Sequence, residues 1–380
     1  MNIQIITSSY PAFSGDPGGT AGLFVEAFAL ELINQGHKVI VQPVNRKDAY
    51  QPAPGIIIEP IPWEGGDQVL AAMNLFNPKN WPVFFRFFSE GSKNTLAVHQ
   101  KYKIDRTMCM WIVPSGVFGH GIHQQLKKDY DVWALGSDIW KIRKIPFFGK
   151  YWIKKIVDGA KNVYADGLQL CEDVHTLTGK DCRFLASTRA LPEPDGTTTP
   201  FKPDDAVHLI FVGRYHKNKG PDLLLEALTF LNEETRRRVR IHLFGLGDME
   251  DTLKEYCLAK NLADTVNING PINARDLSNR LKQAEFLLIP SRIESIPVIF
   301  SDALQSGTPV VAMPVGDLPS FIKDFGCGIL ANDTSAQAFA NAIETAVQQK
   351  KAGFASNVQA AYQKFNISHS VRQWLSNESV

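Results

Sequence analysis

Residues 208–245 read HLIFVGRYHKNKGPDLLLEALTFLNEETRRRVRIHLFG and contain a strand, a loop, a helix and a second strand. The outer runs, HLIFV and VRIHLF, are typical of strands in a sheet that is covered on both faces. The central run places its apolar residues on one helical face, namely Leu224, Ala227, Leu228 and Leu231. This segment therefore predicts an α/β fold with a parallel sheet.

The same alternation of strand and helix extends in both directions along the chain. Towards the N-terminus, the strand-like run Ile3–Thr7 precedes a helix with an apolar face of Phe24, Ala27, Phe28 and Leu32. Towards the C-terminus, the runs EFLLIP and TPVVAMP precede a helix with an apolar face of Phe339, Ala342, Ile343 and Ala346. Parallel sheets with helices on both faces are therefore expected over most of the length.

The stretch Leu191–Asp205, LPEPDGTTTPFKPDD, interrupts this alternation. It holds four prolines and no periodic apolar pattern, which is typical of a segment between domains. The length of 380 residues also suits two domains. We therefore predict α/β domains at residues 1–196 and 207–360, joined by a linker at 197–206.

Composition excludes several classes of protein. The 40 Lys and Arg residues nearly balance the 39 Asp and Glu residues, which argues against a nucleic-acid-binding chain. No apolar run reaches the length of a membrane span, and the N-terminus lacks a secretory signal. The five widely spaced cysteines predict neither a disulfide framework nor a structural zinc site. A cytoplasmic protein is expected.

Two loops that follow strands in the second half carry candidate binding residues. Arg214 and Lys219 lie five positions apart after Gly213 and could clamp a diphosphate, although solvated loop cations are equally compatible with the pattern. Gly245 and Gly247 could let backbone N–H groups approach an anion, or could form a simple turn. The dinucleotide fingerprint G-x-G-x-x-G is incomplete, which argues against an NAD-dependent oxidoreductase.

A third loop, in the run IPSRIESIPVIFSDALQSGTPVVAMPVGDLPS, presents two acids. Glu294 lies in the loop between a strand and a helix expected to begin near Ile296, and Asp302 lies eight positions later on that helix. A loop acid beside a helix N-terminus suits a ligand that carries both sugar hydroxyls and phosphate. The alternative is that Glu294 only caps the helix.

These elements, in their order and separation, resemble retaining glycosyltransferases of family 4, which have the GT-B fold. The matching runs are VGR-x4-KG, G-x-G, PSRIES, ALQSGTPVVA and the GD-L-P turn. The resemblance covers most of residues 205–350 and extends more loosely over the first half. It implies two Rossmann-like domains whose sheets face an interdomain cleft, with a C-terminal helix, residues 361–380, that crosses back to the first domain.

The resemblance also implies roles in a donor site. Arg214 and Lys219 would neutralise the diphosphate of a nucleotide-sugar, and Glu294 would contact the donor sugar. The backbone of Ser295 and Ile296 would meet sugar or phosphate, and Asp302 would hold the ribose hydroxyls where Glu is usual. The donor-side glycines would be Gly19, Gly213, Gly245 and Gly247.

On the acceptor side, the resemblance implies roles for Gly18 and Gly22, in the glycine-bearing loop after the first strand. It also implies roles for the strand-end run Gly136, Ser137 and Asp138. Leu135 stands where the family often has His, so the usual acceptor-side contact is in question. His120 is a candidate replacement, whereas a metal site at His120 and His123 is not expected because no third ligand lies nearby.

The run Ile139–Ile156 combines six cations and five aromatics without an acid. Such a surface could rest on anionic lipid at the inner face of a membrane, or could be ordinary helix packing. The expected function is transfer of a sugar, with retention and without a metal or cofactor, from a UDP- or GDP-linked donor to a glycan or lipid-linked acceptor, in bacterial surface polysaccharide or glycolipid synthesis. The alternatives are a non-catalytic sugar-binding subunit and a sugar-nucleotide epimerase.

Overall fold

The computed structural model of the chain describes residues 1–10, 22–44, 53–65, 77–146, 148–201 and 206–376. The chain forms two compact units, and the first comprises Met1–Ser187 together with Ser370–Val380. The second unit comprises Thr188–His369. Each unit is built around its own parallel sheet, as the alternation of strand-like and helical runs predicts.

The first unit has a parallel sheet in the order β3-β2-β1-β4-β5-β6-β7. Its strands are β1 (Asn2–Thr7), β2 (Lys38–Pro43), β3 (Ile56–Ile58), β4 (Arg106–Met110), β5 (Asp131–Ala134), β6 (Val163–Ala165) and β7 (Arg183–Phe184). Its helices are α1 (Leu23–Asn34), α2 (Trp81–Lys101), α3 (Ser115–Leu126), α4 (Ser137–Trp140), α5 (Gly149–Gly159) and α6 (Leu168–Thr178). The expected α1 stripe buries Phe24, Phe28 and Leu32, whereas Ala27 is half-buried.

The second unit has a parallel sheet in the order β10-β9-β8-β11-β12-β13. Its strands are β8 (Val207–Val212), β9 (Val239–Phe244), β10 (Val266–Asn269), β11 (Phe286–Ile289), β12 (Val310–Ala312) and β13 (Gly328–Leu330). Its helices are α7 (Pro221–Leu228), α8 (Glu233–Arg238), α9 (Glu250–Ala259), α10 (Ala274–Gln283), α11 (Val298–Gln305), α12 (Leu318–Phe325), α13 (Ala336–Gln349) and α14 (Ala355–Phe365). The apolar stripes predicted for α7 and α13 are buried.

The division between the units differs from the linker expected at 197–206. The chain passes from one unit to the other at Ser187/Thr188, and residues 188–201 belong to the second unit. The amide of Gly196 donates to the Asn279 side chain at 3.0 Å, for example. Side chains of α10 and α11 thus hydrogen-bond a segment that has no regular structure. The proline-rich composition predicted irregular backbone correctly, but not its attachment to a domain.

The return to the first unit occurs at His369/Ser370, within the helix α15 (Ile367–Ser376). Residues 361–369, which were expected in the crossing segment, therefore remain with the second unit. Beyond the crossing, Ser370 Oγ donates to the carbonyl of Ala186 at 3.0 Å, and Gln373 donates to the carbonyl of Phe184 at 2.7 Å. These bonds attach the last described helix to the end of β7.

A buried ion pair receives the C-terminal helix on the first unit. Arg106 of β4 and Asp131 of β5 are paired at 3.0 Å and are almost fully buried. Trp374 is also buried, and its Nε1 donates to Asp131 at 2.8 Å. Arg106 in turn donates to the carbonyl of Trp374 at 2.7 Å and lies over its ring at 4.1 Å. One tryptophan therefore provides the packing, the hydrogen bond and the cation–π contact that hold this helix.

The core of the first unit also contains a polar network between the sheet and α2. The side-chain oxygen of Gln4, Oε1, accepts hydrogen bonds from the hydroxyl of Thr107 at 3.2 Å and from His99 Nδ1 at 3.0 Å. His99 is 4% exposed, and its Nε2 contacts no hydrogen-bond partner in the described part of the chain. Burial, with a smaller contribution from the charge of Lys128, lowers the pKa of His99 to about 4. The ring is therefore neutral in the folded protein near pH 7.

Acid should destabilise the first unit through His99. Because the folded pKa lies below the ordinary value of 6.5, the unfolded chain binds the proton more readily between about pH 6.5 and pH 4. The stability present above pH 6.5 is therefore lost as the pH falls through this window, by about 2–3 kcal/mol. Urea unfolding at pH 7.0 and pH 4.5 should show a smaller difference in the free energy of unfolding for His99→Gln than for wild type. The exposed control His175→Gln should show the same difference as wild type. Equal pH effects in wild type and His99→Gln would contradict this assignment.

Candidate functional site

The carboxyl ends of four strands of the second sheet bring together the loops singled out in the sequence. They are residues 213–220 after β8, 245–249 after β9, 290–297 after β11 and 313–317 after β12. β9 and β10 lie on one side of β8, whereas β11 lies on the other, so the strand order reverses between β8 and β11. Ligands of open α/β sheets bind at this kind of switch point.

Two predicted site residues meet across the switch point. Lys219, at the end of the β8 loop, forms an ion pair through its Nζ with Glu294 Oε2, in the β11 loop. The Ser291 hydroxyl also lies 3.4 Å from the same carboxylate oxygen. The two charged side chains are 28% and 14% exposed, so a ligand at the loop surface can reach both. The site therefore places one cation and one anion side by side.

Arg214 occupies a different position in the same loop. Its side chain is exposed and forms no ion pair with another residue that the structure describes. The neighbouring Tyr215 is buried, and its hydroxyl donates to the carbonyl of Asn269 at 2.5 Å. This anchor fixes the backbone beside Arg214, while the guanidinium remains available to an anion.

Arg292 ties the β11 loop to the β8 loop, a role that the sequence analysis did not assign. Its guanidinium forms two hydrogen bonds with the carboxylate of Asp222, at 2.7 and 2.9 Å. It also donates to the carbonyl of Lys217, and its own amide donates to the carbonyl of Asn218. The arginine in PSRIES was the available signal, since a fork-shaped side chain suits bidentate bonding. Arg292 thus ties the backbone just before Lys219 to the loop that carries Glu294.

The glycines of the β9 loop allow it to pack directly on the β8 loop. A Cβ atom at Gly245 would overlap the carbonyl oxygen of Gly213, and one at Gly247 would overlap that of Tyr215. The amide of Tyr215 donates to the carbonyl of Leu246 at 2.9 Å, which continues the pairing beyond the strands. Close approach between two loops is therefore a structural reason for G-x-G here. Whether the same glycines approach an anion stays a prediction.

The turn after β12 supports the backbone around Glu294. Gly316 has a φ of +56°, and a Cβ atom there would overlap the carbonyl oxygen of Glu294. The amide of Asp317 donates to the carbonyl of Ser295 at 3.3 Å. Ser295 and Ile296 are half-buried in the turn that precedes α11, and that helix begins at Val298 rather than near Ile296. A proline at its N-cap position, Pro297, accounts for the later start.

Gly220→Ala should disturb the site from the backbone. Gly220 has a φ of +71°, and a Cβ atom there would overlap the carbonyl oxygen of Pro290. We expect a loss of about 2–4 kcal/mol in the stability of the second unit, together with weaker binding of a nucleoside diphosphate. Gly307→Ala is the control, because Gly307 has a similar φ of +69° and open space around it. Thermal unfolding and titration calorimetry should separate the two variants, and equal effects would contradict the close contact.

Asp302 lies in a different environment from the one expected. Its carboxylate is fully buried and accepts hydrogen bonds from Arg189 Nε at 3.1 Å and Arg189 Nη2 at 2.6 Å. Burial raises the pKa of Asp302, and the charge of Arg189 opposes that rise. The acid therefore faces the segment 188–191 instead of the strand-end surface. The eight-residue spacing located it on α11 correctly but did not show which side chain covers it.

In the first unit, Gly136, Ser137 and Asp138 follow β5. Asp138 is buried and accepts hydrogen bonds from the amides of Ile112 at 2.6 Å and Leu135 at 3.1 Å. Burial raises the pKa of Asp138 to about 6, although these amides oppose the shift. Its carboxylate thus joins the loops after β4 and β5.

Of the three glycines predicted to act in the loop after β1, only Gly22 lies within the described residues. Gly22 packs closely on Ser9, whose carbonyl oxygen would lie 2.7 Å from an added Cβ atom. Gly18 and Gly19 lie outside the described residues.

His120 does not replace the missing histidine at position 135. It lies on α3, where its Nδ1 is 3.3 Å from the hydroxyl of Tyr130, and burial lowers its pKa. Tyr130 directly precedes β5, whereas Gly136 follows that strand. His120 is therefore at the opposite end of β5 from the Gly136–Asp138 run, because α3 runs back along the sheet.

The basic aromatic run forms an exposed surface at the start of α5. Phe148 and Tyr151 are 65% and 58% exposed, and Lys155 Nζ lies 5.1 Å from the ring of Trp152. The opposite face of the helix is buried through Ile153 and Ile156. Within the described ranges, no helix combines the length and apolar character needed to cross a membrane.

Comparison with known proteins finds a family match within the second unit. Residues 199–363 match the family described as "Glycosyl transferases group 1". The D-inositol 3-phosphate glycosyltransferase of Geodermatophilus obscurus is 30% identical over 156 residues, which cover 39% of this chain and 35% of that protein. The protein of the same name from Corynebacterium aurimucosum is 34% identical over 139 residues, which cover 35% and 33%. The chain thus aligns with about a third of the length of these relatives.

Solved structures match the complete architecture at low sequence identity. Sucrose-phosphate synthase from Thermosynechococcus elongatus has a TM-score of 0.72 and 18% identity, over 99% of this chain and 98% of that one. HepE from Anabaena, solved in complex with UDP, has a TM-score of 0.70 and 15% identity, over 99% of each chain. These likenesses concern the fold. Residues 199–363 thus resemble the glycosyl transferases group 1 family, and the chain has the GT-B fold.

Proposed function

We propose that this protein is a retaining glycosyltransferase that uses a nucleoside-diphosphate sugar as donor. The observation that carries the proposal is the Lys219–Glu294 pair at the switch point of the second sheet. Exposed Arg214 adds a second cation in the same loop. HepE, a structural neighbour, has been solved with UDP-glucose, which supports this donor class.

The proposed chemistry depends on stabilising the leaving group. As the sugar–phosphate bond breaks, negative charge develops on the diphosphate, and preorganised cations lower the energy of that state. Lys219 would move from Glu294 to the diphosphate when the donor binds. Glu294 would then accept hydrogen bonds from the hydroxyls of the donor sugar. Arg214 and Lys219 together would supply the charge that a metal ion supplies in other transferases.

A donor panel tests this proposal directly. UDP- and GDP-linked sugars would be incubated with the protein and candidate acceptors, and nucleotide release and product stereochemistry would be measured, with and without a chelator. Acceptor-dependent release with retention, lost in Glu294→Gln and insensitive to the chelator, is the expected result. Donor binding without turnover would instead indicate a sugar-binding subunit. Formation of a free, altered sugar without acceptor would indicate an epimerase.

We further propose a lipid-linked or glycan acceptor reached at a membrane surface. The cations Lys150, Lys154 and Lys155 are exposed on α5 beside the aromatic side chains of Phe148 and Tyr151. Aromatic groups that enter the headgroup region, next to cations that attract anionic lipid, suit an interfacial helix. This placement would suit synthesis of bacterial surface polysaccharide or glycolipid.

Vesicle binding tests the surface contact separately from catalysis. Wild type should co-sediment with phosphatidylglycerol vesicles at low salt and should not with phosphatidylcholine vesicles. Phe148→Ser combined with Tyr151→Ser should lose binding, whereas Lys260→Gln, an exposed lysine of the second unit, should not. Binding that is equal for both lipids, or unchanged in the double variant, would rule out this surface.

A further inference from the structure

A cavity opens at the edge of the first sheet where β4 and β5 begin. Its volume is about 250 Å³, which suits a ligand smaller than a typical drug molecule. Gly136, Ser137 and Asp138 follow the other end of β5, so this cavity is separate from those predicted acceptor residues. Its lining comes from the two strand starts and from two neighbouring loops, namely Asp105, Arg106, Lys127, Lys128, Asp129, Tyr130, Asp131 and Lys161.

The loop between α3 and β5, residues 127–130, forms one wall of the cavity and is anchored at its last residue. Tyr130 is buried, and its hydroxyl donates to the carbonyl of Ile156 at 2.6 Å. Its own carbonyl accepts a hydrogen bond from the amide of Lys161 at 2.8 Å, which joins the second loop to the first. Because these backbone bonds form without a ligand, binding would cost little backbone ordering.

The carboxylates in the wall of the cavity already have partners. Asp131 is paired with buried Arg106 at 3.0 Å, and Asp129 lies 3.4 Å from Lys161 Nζ. The third acid, Asp105, accepts a hydrogen bond from the first amide of β1 at 2.7 Å. The lining as a whole has four cations and three acids, so its net charge is positive and favours an anion over a metal ion.

Lys127 and Lys128 supply the excess positive charge. Both residues are exposed, and neither forms an ion pair in the described ranges of the chain. They follow directly after α3, which ends at Leu126, so they also lie near the negative end of that helix dipole. The dipole accounts for cations at this place in the sequence, whereas the cavity beside them adds room for a bound anion.

We propose that this cavity binds the phosphate group of a small phosphorylated molecule. A phosphate monoester carries a charge of about −1.5 to −2 near pH 7 and offers three acceptor oxygens, so it can meet two adjacent ammonium groups at once. A carboxylate has one charge and two oxygens and would be held less strongly. The cavity lies in the first unit, whereas the proposed donor site lies in the second, so the two proposals are independent.

Titration calorimetry of the full chain with inorganic phosphate and with glucose 6-phosphate tests the site. Both ligands should bind wild type, and Lys127→Gln combined with Lys128→Gln should weaken each by at least about tenfold, because hydrogen bonds to charged groups are lost. The control combines Lys103→Gln with Lys260→Gln, which removes the same charge at exposed positions outside the cavity and should keep wild-type affinity. No binding of either ligand, or binding of inorganic phosphate alone, would overturn the proposal.

The location of the bound anion needs its own measurement, because the proposed donor site is also cationic. Glucose 6-phosphate should protect Lys127 and Lys128 from an acetylating reagent, as detected by mass spectrometry of the digested protein, while Lys103 reacts as before. Protection confined to Lys219, or affinity lost in Lys219→Met but kept in the double variant of the cavity, would place the anion at the donor site and overturn the proposal. Failure of UDP to bind, with protection of the cavity preserved, would refute only the proposed function.

Discussion

Lys219→Met should reduce the turnover number of sugar transfer by about 10²–10³-fold. Its Nζ is the cation held opposite Glu294, and methionine keeps the length of the side chain while removing the charge. The developing charge on the diphosphate would then lose a preorganised partner. Lys217→Met is the matched control, since Lys217 lies in the same loop and its side chain is exposed. Steady-state kinetics should show near-wild-type activity for the control.

The partner variant distinguishes this role from general damage to the loop. Glu294→Gln should also lower turnover, but it releases Lys219 from its ion pair. UDP should therefore bind Glu294→Gln at least as tightly as wild type, and bind Lys219→Met more weakly. If both variants weakened UDP equally, the pair would be structural and the proposed division of roles would fail.

Trp374→Ala should destabilise the first unit by about 3–5 kcal/mol. The substitution removes a fully buried indole that packs on Phe28 and donates to Asp131. It also leaves a buried Arg106–Asp131 pair without the ring that covers the guanidinium. Arg372→Ala, at an exposed position of the same helix, should change stability by less than about 0.5 kcal/mol.

Urea unfolding followed by tryptophan fluorescence and far-UV circular dichroism measures both variants. A loss below about 1 kcal/mol for Trp374→Ala would mean that the C-terminal helix contributes little to the first unit. Limited proteolysis should agree, with faster cleavage near residue 370 in Trp374→Ala than in the control.

Local pattern was sufficient to predict the architecture. Strands with apolar residues on both faces alternate with amphipathic helices, and these periods follow from backbone geometry alone. Residues such as Leu224 and Phe339 are therefore buried as their spacing indicates. The strand-end loops of the second half were located for the same reason, because parallel strands place all their carboxyl ends at one edge.

Sequence periodicity could not predict which domain an irregular segment packs against. Residues 191–201 have no period, and the side chains that bind them, such as Asn279 and Gln305, lie on helices about 80–115 positions later in the chain. The predicted linker consequently became part of a domain. The hypothesis that His120 replaces the missing histidine at position 135 was wrong for a related reason, since the distance of His120 from Gly136 depends on the direction in which α3 crosses the sheet.

The two acids of the second unit show which features of the site could be predicted from the sequence and which could not. The motif around Glu294 could be recognised along the chain, because its loop and helix are contiguous and local geometry brings its backbone to the strand ends. The environment of Asp302 could not, because its partner Arg189 is 113 positions away and meets it only after the second unit has folded. Spacing determines the face on which a carboxylate stands, whereas tertiary packing decides whether that carboxylate meets a ligand or an arginine.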